Sequence, residues 1–222
     1  ASALVIVDTD GGAAGDALIA KIIETSSALK LGQKAGEVGP LIDKLAPARI
    51  HKYVEATVKS GGRILLDGRK PTAPAGCDDG NWCKPTILLH TSAEDAAMKE
   101  EIFAPVLSIL RVKTWEEAMA VENANPYGNA AAIYTESGGA SEWFTKRFRA
   151  SMLGVNIGIP VPREPFSFGG LYGTDSKYGD MDVTGDGALE FFTNRIKITS
   201  KWAPISKERA GLPADAANFN GA

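Results

Sequence analysis

Short runs of β-branched and apolar residues alternate with stretches of helical length along most of this chain, and that alternation limits its fold more than any other feature. Ala3 to Val7 is such a run and is followed by Asp and Gly, the pattern of a buried strand and its turn. The spacing then predicts a helix with Asp16 as its cap and Ala17, Ile19, Ala20, Ile22 and Ile23 as apolar positions. A second helix is expected from near Pro47 to Gly61-Gly62, since proline suits a first turn and glycine a C-terminus. Arg63 to Leu66 reads as a strand and Pro71 to Lys84 as a loop. Further strands are expected at Pro85 to Leu89, Val106 to Val112, Ala130 to Tyr134 and Met152 to Asn156, with helices at Trp115 to Asn123 and Ala140 to Phe148. Strands that alternate with helices imply an α/β fold with a mainly parallel sheet covered on both faces. Ile157 to Leu189, dense in Pro and Gly, reads as a long functional or interface loop. Phe191 to Trp202, with alternating Ile196 and Ile198, reads as a strand able to pair outside its own domain. Residues 203–222 read as a tail ordered only when bound.

Composition removes several function classes. With 24 Lys and Arg against 27 Asp and Glu, the net charge is −3 and no basic cluster stands out, which argues against nucleic acid as a partner. No stretch approaches the ~20 apolar residues of a membrane helix, so no direct membrane insertion is expected. The two cysteines, Cys77 and Cys83, lie in one Gly/Asp/Pro-rich loop and do not make a disulfide framework, which favours a reducing compartment. The chain opens on Ala1 without a signal-peptide pattern, in keeping with a mature, processed form.

Several motifs stand in a fixed order. Gly39-Pro40-Leu41-Ile42-Asp43 and Leu65-Leu66-Asp67-Gly68-Arg69 precede Lys99-Glu100-Glu101-Ile102-Phe103-Ala104-Pro105-Val106-Leu107. Then come Asn125-Pro126-Tyr127-Gly128-Asn129, Gly154-Val155-Asn156-Ile157-Gly158-Ile159-Pro160-Val161-Pro162, Phe166-Ser167-Phe168-Gly169-Gly170 and Thr199-Ser200-Lys201-Trp202. From about Ala1 to Trp202 the chain resembles the aldehyde dehydrogenase superfamily in its C-terminal, catalytic-type domain. The Asn-Ile-Gly-Ile-Pro-Val-Pro and Phe-Ser-Phe-Gly-Gly forms are similar to those of the CoA-acylating methylmalonate-semialdehyde dehydrogenases. The resemblance implies a catalytic-type domain over residues 1–190, an oligomerisation strand over 191–202 and a flexible or partner-bound tail over 203–222.

The same resemblance assigns roles. Glu101 and Phe103 match the pair that holds the nicotinamide ribose hydroxyls and packs against the nicotinamide ring. A carboxylate suits the first task because it accepts two hydrogen bonds from a diol. The other reading is a surface Glu and a core Phe, since Ala104 replaces the family's usual Gly. Phe168 matches an aromatic lining the aldehyde tunnel, although Leu171-Tyr172 replace Trp-Lys after the two glycines, and a core or interface Phe168 is the competing reading. Family chemistry needs a thiolate nucleophile, and the register places Ala1 at or beside that position, so no catalytic residue is assigned. Cys77 and Cys83 match other positions. The general base and nucleotide-binding domain of the family match nothing in this sequence.

Other patterns fall short of a site. Gly11-Gly12-Ala13-Ala14-Gly15 misses dinucleotide spacing. Asp180-x-Asp182-x-Thr184-Gly185-Asp186 starts like a calcium loop but has Phe191 where a bidentate Glu is required. Cys77, Cys83, His90 and His51 are too irregularly spaced for zinc. The expectation is therefore a catalytically inactive accessory or scaffold subunit of a larger assembly, mitochondrial by the branch's habit, with no cofactor on the chain alone. The alternative is the C-terminal piece of a split or processed CoA-acylating semialdehyde dehydrogenase, which takes NAD, with CoA as co-substrate, once paired with a nucleotide-binding half. Either way the expected partners are other protein chains, or a second copy of this one, through Ile196 to Trp202.

Overall fold

The computed structural model describes residues 3–161, 167, 169–177, 182 and 184–200. In chain order the elements are β1 (Ala3–Val7), α1 (Ala13–Ser27), α2 (Leu45–Lys59), β2 (Arg63–Leu66), β3 (Thr86–His90), α3 (Ala96–Lys99) and β4 (Val106–Val112). They continue with α4 (Trp115–Asn123), β5 (Ala130–Ile133), α5 (Gly138–Thr145), β6 (Met152–Val155) and α6 (Gly185–Phe192). Four strands form one sheet in the order β1-β4-β3-β2, and β5 and β6 form a separate parallel pair. β4 is parallel to both β1 and β3, whereas β2 runs antiparallel to β3 at the edge. The mixed α/β architecture with a mainly parallel sheet is thus the one the alternation implied.

Side-chain alternation along β3 shows how the sheet is covered. Leu88 packs with Ile50, Tyr53 and Val54 of α2, while Ile87, with Leu89 against it, packs with Ile19 of α1, Ile6 of β1 and Ile109 of β4. Neighbouring residues of a strand point to opposite faces, so α1 and α2 lie on opposite sides of the sheet. Two of the buried hydroxyls tie neighbouring segments to the sheet. Gly68 N donates to Thr86 Oγ1 at 3.1 Å, and Ser108 Oγ donates to the Ala97 carbonyl at 2.9 Å, which seats α3 on β4. His90, buried at the end of β3, sets its Nδ1 2.8 Å from Asp95 Oδ2 and so fixes the turn into α3.

One helix start differs from expectation and the other agrees with it. Asp10, not Asp16, caps α1: its carboxylate accepts from Gly12 N and Ala14 N, both at 3.0 Å, and these amides, Ala14 first, hold its carboxyl below the ordinary value. Asp16 lies in the first helical turn and faces Arg111 of β4 instead. Arg111 Nε donates to Asp8 Oδ2 at 2.6 Å, Nη1 to Asp16 Oδ1 at 2.5 Å and Nη2 to the Gly12 carbonyl at 2.9 Å. For α2, Asp43 accepts from Leu45 N and Ala46 N at 2.9 and 2.7 Å, so the helix begins two residues before Pro47, which sits in the first turn. Its end is as expected, with Gly61 at φ 91°, a conformation that glycine adopts without strain.

The C-terminal region needs a further correction. The long loop expected to run to Leu189 gives way to α6 at Gly185, and Phe191 and Phe192, expected to open a strand, are its last residues. Ala188 N bonds to the Thr184 carbonyl at 3.2 Å, and Ala188, Leu189 and Glu190 favour a helix more than Gly185 and Gly187 oppose it. Residues 194–200 belong to no helix or strand, and Ile196 and Ile198 are 80% and 83% exposed. Trp202 and the tail at 203–222 lie outside the described residues.

Replacing Arg111 with Met should lower unfolding free energy by about 2 kcal/mol, because two carboxylates lose a shared charged donor. Urea titration would show this as a lower midpoint at unchanged slope. Asp67 is held down to about 2 by its bonds to Arg69. A depressed carboxyl contributes stability above its unfolded value, so this contribution should fade as the pH drops from 3.8 through about 2. Asp67→Asn should flatten the stability profile across that interval, read from urea midpoints at each pH.

Candidate functional site

The segment from Glu100 to Pro105 joins α3 to β4 at the edge of the sheet where the parallel strands begin, and its residues alternate in role. Glu100 leaves α3 extended, at φ −104° and ψ 147°, and its Oε2 accepts from the Tyr53 hydroxyl at 2.5 Å. Glu101 is exposed. Ile102 drops into the core beside Tyr53 and Val54, and its carbonyl accepts from Arg49 Nε at 3.2 Å. Phe103 then turns outward, 77% exposed, at φ 54°. Ala104 returns to the core margin, Val106 N donates to its carbonyl at 2.7 Å, and Thr86 N donates to the Pro105 carbonyl at 2.8 Å.

Phe103 thus lies outside the core formed by the described residues, and an exposed carboxylate and an exposed ring share one short loop. Ala104 does not crowd the backbone: the departure from glycine is absorbed because its methyl packs against the core. A left-handed backbone at a bulky aromatic costs of order 1–3 kcal/mol and persists only where neighbours over-determine it. Buried Ile102 on one side and the bonds of Ala104 and Pro105 on the other are those neighbours. Hydrogen bonding contributes as well: burial and above all the bond to Glu100 raise the Tyr53 hydroxyl above its usual pKa, so it stays a donor.

β1 enters the sheet at the same edge, with Ala3 opposite Ser108 and therefore next to the start of β4. Ala1, the position matched to the family nucleophile, lies outside the described residues. The two cysteines are free. Cys83 is buried in the core that holds Ile102, its thiol near the Lys84 and Gly68 carbonyls at 3.3 and 3.4 Å, and burial pushes that thiol up, which disfavours the reactive thiolate. Cys77 lines a surface pocket of about 320 Å³ with Gln33, Pro40, Asp78, Asp79 and Trp82, between the α1–α2 connection and the loop after β2.

The remaining motifs stand on a second support, the β5–β6 pair. Asn156, at φ 55°, accepts from Thr135 N at 2.9 Å and donates to the Thr135 carbonyl at 3.0 Å, which closes the strand pair; Ile157 folds back over Gly154 of β6, and Ile157, Ile159 and Val161 are exposed. The Asn125-to-Gly128 motif meets the segment after the double glycine: Leu171 N donates to the Gly128 carbonyl and Asp175 N to the Pro126 carbonyl, both at 2.9 Å. Arg149 adds bonds to the carbonyls of Asn125 at 3.1 Å and Gly173 at 3.2 Å. Leu171 and exposed Tyr172, which replace the family's Trp-Lys, are thus accommodated within a bonded turn. Phe168 lies outside the described residues.

Sequence reasoning missed Arg49, Tyr53 and the conformation of Asn156. The four-residue spacing of Arg49 and Tyr53 on one helix face was visible, but nothing local ties them to residues 47 to 53 positions away. Among the described residues no helix is long and apolar enough to cross a membrane, and no group of three or more His, Cys, Asp or Glu is placed to hold a metal ion. Because Phe103 makes its contribution outside the core, Phe103→Gly should raise stability by up to about 1 kcal/mol and Phe103→Val lower it by a similar amount, as their tolerance of positive φ dictates. Thermal unfolding of the two variants beside the parent checks the order.

A family profile described as the aldehyde dehydrogenase family matches residues 5–198. A malonate-semialdehyde dehydrogenase of Geobacillus kaustophilus is 39% identical over 194 residues, which is 86% of this chain and 39% of that protein. The crystal structure of a methylmalonate-semialdehyde dehydrogenase from Oceanimonas doudoroffii superposes with a TM-score of 0.84 at 33% identity, over 93% of this chain and 42% of that one. A Sinorhizobium meliloti protein described as a methylmalonate-semialdehyde dehydrogenase, solved with NAD, gives a TM-score of 0.84 at 32% identity over 93% of this chain and 41% of its own. The chain spans about two fifths of the length of these relatives.

Proposed function

The chain belongs to the aldehyde dehydrogenase family, and from that premise we propose that it is the C-terminal part of an NAD-dependent, CoA-acylating dehydrogenase of malonate or methylmalonate semialdehyde. The observation that carries this reading is the presentation of Glu101 and Phe103, an exposed carboxylate and an exposed ring on one loop held from beneath. The inactive-scaffold expectation gives way to it, because the departures at Ala104 and Leu171 are absorbed by the fold and the relatives are dehydrogenases by name.

In this reading Glu101 accepts the two hydroxyls of the nicotinamide ribose, and the Phe103 ring closes one side of the nicotinamide site against water. NAD, when bound, supplies the hydride acceptor of the oxidation. The thiolate, the general base and the adenine side of the NAD site come from sequence that this chain does not contain, whether continuous with it or on another polypeptide. CoA, as co-substrate, would take up the acyl group from the thiolate that the missing sequence supplies. Interaction through residues 196–202 with another chain or a second copy belongs to the same proposal, supported by the exposure of Ile196 and Ile198. A mitochondrial location is a separate proposal, for which the relatives named above, all bacterial, add no support; cell fractionation tests it.

Purified alone, the chain should form no NADH from either semialdehyde. Joined to a nucleotide-binding half that carries the cysteine, it should do so, and Glu101→Ala should then lower kcat/KM for NAD by about 10- to 100-fold, the loss of one or two charge-assisted hydrogen bonds. Absorbance at the NADH band reads both results. NADH formed by the chain alone and lost in Cys77→Ser or Cys83→Ser would refute the proposal.

A further inference from the structure

We propose that Arg49 and Tyr53 are positioning residues for the nicotinamide-riboside site: from one face of α2 they pin the two residues that flank Glu101. This inference rests on the reading of Glu101 and Phe103 given above and adds the residues that set their geometry.

The argument begins with helix spacing. Positions 49 and 53 are one turn apart on α2, so their side chains leave the helix side by side. Tyr53 Oη donates to Glu100 Oε2 at 2.5 Å and Arg49 Nε donates to the Ile102 carbonyl at 3.2 Å. Glu100 and Ile102 are alternate residues of a segment that leaves α3 extended, so fixing both toward α2 directs Glu101 between them outward. The Ile102 side chain, buried against Tyr53, adds an apolar anchor at the same point. The turn after Ile102 then places Phe103 in its left-handed conformation. A carboxylate that must meet a ribose diol has little tolerance in position, and a misplacement of about 1 Å can cost two orders of magnitude. Neither Arg49 nor Tyr53 needs to touch the cofactor for this role. Both act through the loop.

The test uses the full 222-residue chain with nicotinamide mononucleotide as probe, which carries the ring and ribose but no adenine half. Ligand-observed NMR titration should show weak binding by the parent chain, with transfer from the Phe103 ring to nicotinamide protons. Tyr53→Phe keeps the buried ring and removes only the hydroxyl. It should weaken binding about tenfold, the worth of one hydrogen bond whichever acceptor holds it, while circular dichroism stays that of the parent. Glu100→Gln, which still accepts from the hydroxyl, should stay within about twofold of the parent. The inference is overturned if Tyr53→Phe binds like the parent while Glu101→Ala does not, a result that leaves the cofactor reading standing. It is also overturned if Glu100→Gln loses as much as Tyr53→Phe. If the parent chain shows no transfer at millimolar probe, the reading of Glu101 and Phe103 falls and this inference falls with it.

Discussion

The in-register parallel pairing of β3 with β4, from Thr86 opposite Val106 to His90 opposite Leu110, is the constraint on which the rest of the molecule depends. It lies at the centre of the larger sheet, and Ile87, Leu88 and Ile109 within it are almost wholly shielded from water. Full burial of each such side chain is worth about 1.5–3 kcal/mol, so the pair and the two helices above and below it stand or fall together. A slip of one residue would turn Leu88 toward α1 and Ile87 toward α2, and would put the Thr86 and Ser108 hydroxyls beyond their partners.

The candidate site inherits its geometry from that pairing. The loop with Glu101 and Phe103 ends where β4 begins, and the amide of Thr86, the first residue of β3, grips the Pro105 carbonyl. Moving β4 against β3 would move the loop. At its other end the loop is held by α2, which rests on the same strand pair through Val54 and Leu88. The exposed groups therefore stand on a rigid base, as a site that must discriminate by position requires.

Much of the framework was legible in the sequence because strand and helix periodicities are local. Ala3 to Val7, Arg63 to Leu66 and Val106 to Val112 form strands with the bounds their apolar runs suggested. What failed was what depends on contacts far along the chain or on competition between similar residues. Asp16 was the expected cap of α1, but Arg111, 95 residues away, engages its carboxylate, and Asp10 accepts from the Gly12 and Ala14 amides in its place. α3 is a single turn of four residues, too short to register as a period, and α6 was hidden by its two glycines. At the site, Glu101 and Phe103 were found through a family motif rather than through physics. Their supports on α2 carried no sequence signal, and Phe168 lies outside the described residues.

The far edge of the larger sheet is made by β2, the one strand that runs against the others. Its ladder with β3 is regular at Arg63 and Ile64 and then shifts before Leu66, and the chain leaves through a turn in which Arg69 doubles back on Asp67. A foreign strand laid along this edge would meet only two residues in step before the spacing broke, with a charged turn just beyond. An edge interrupted in this way disfavours pairing with a foreign strand.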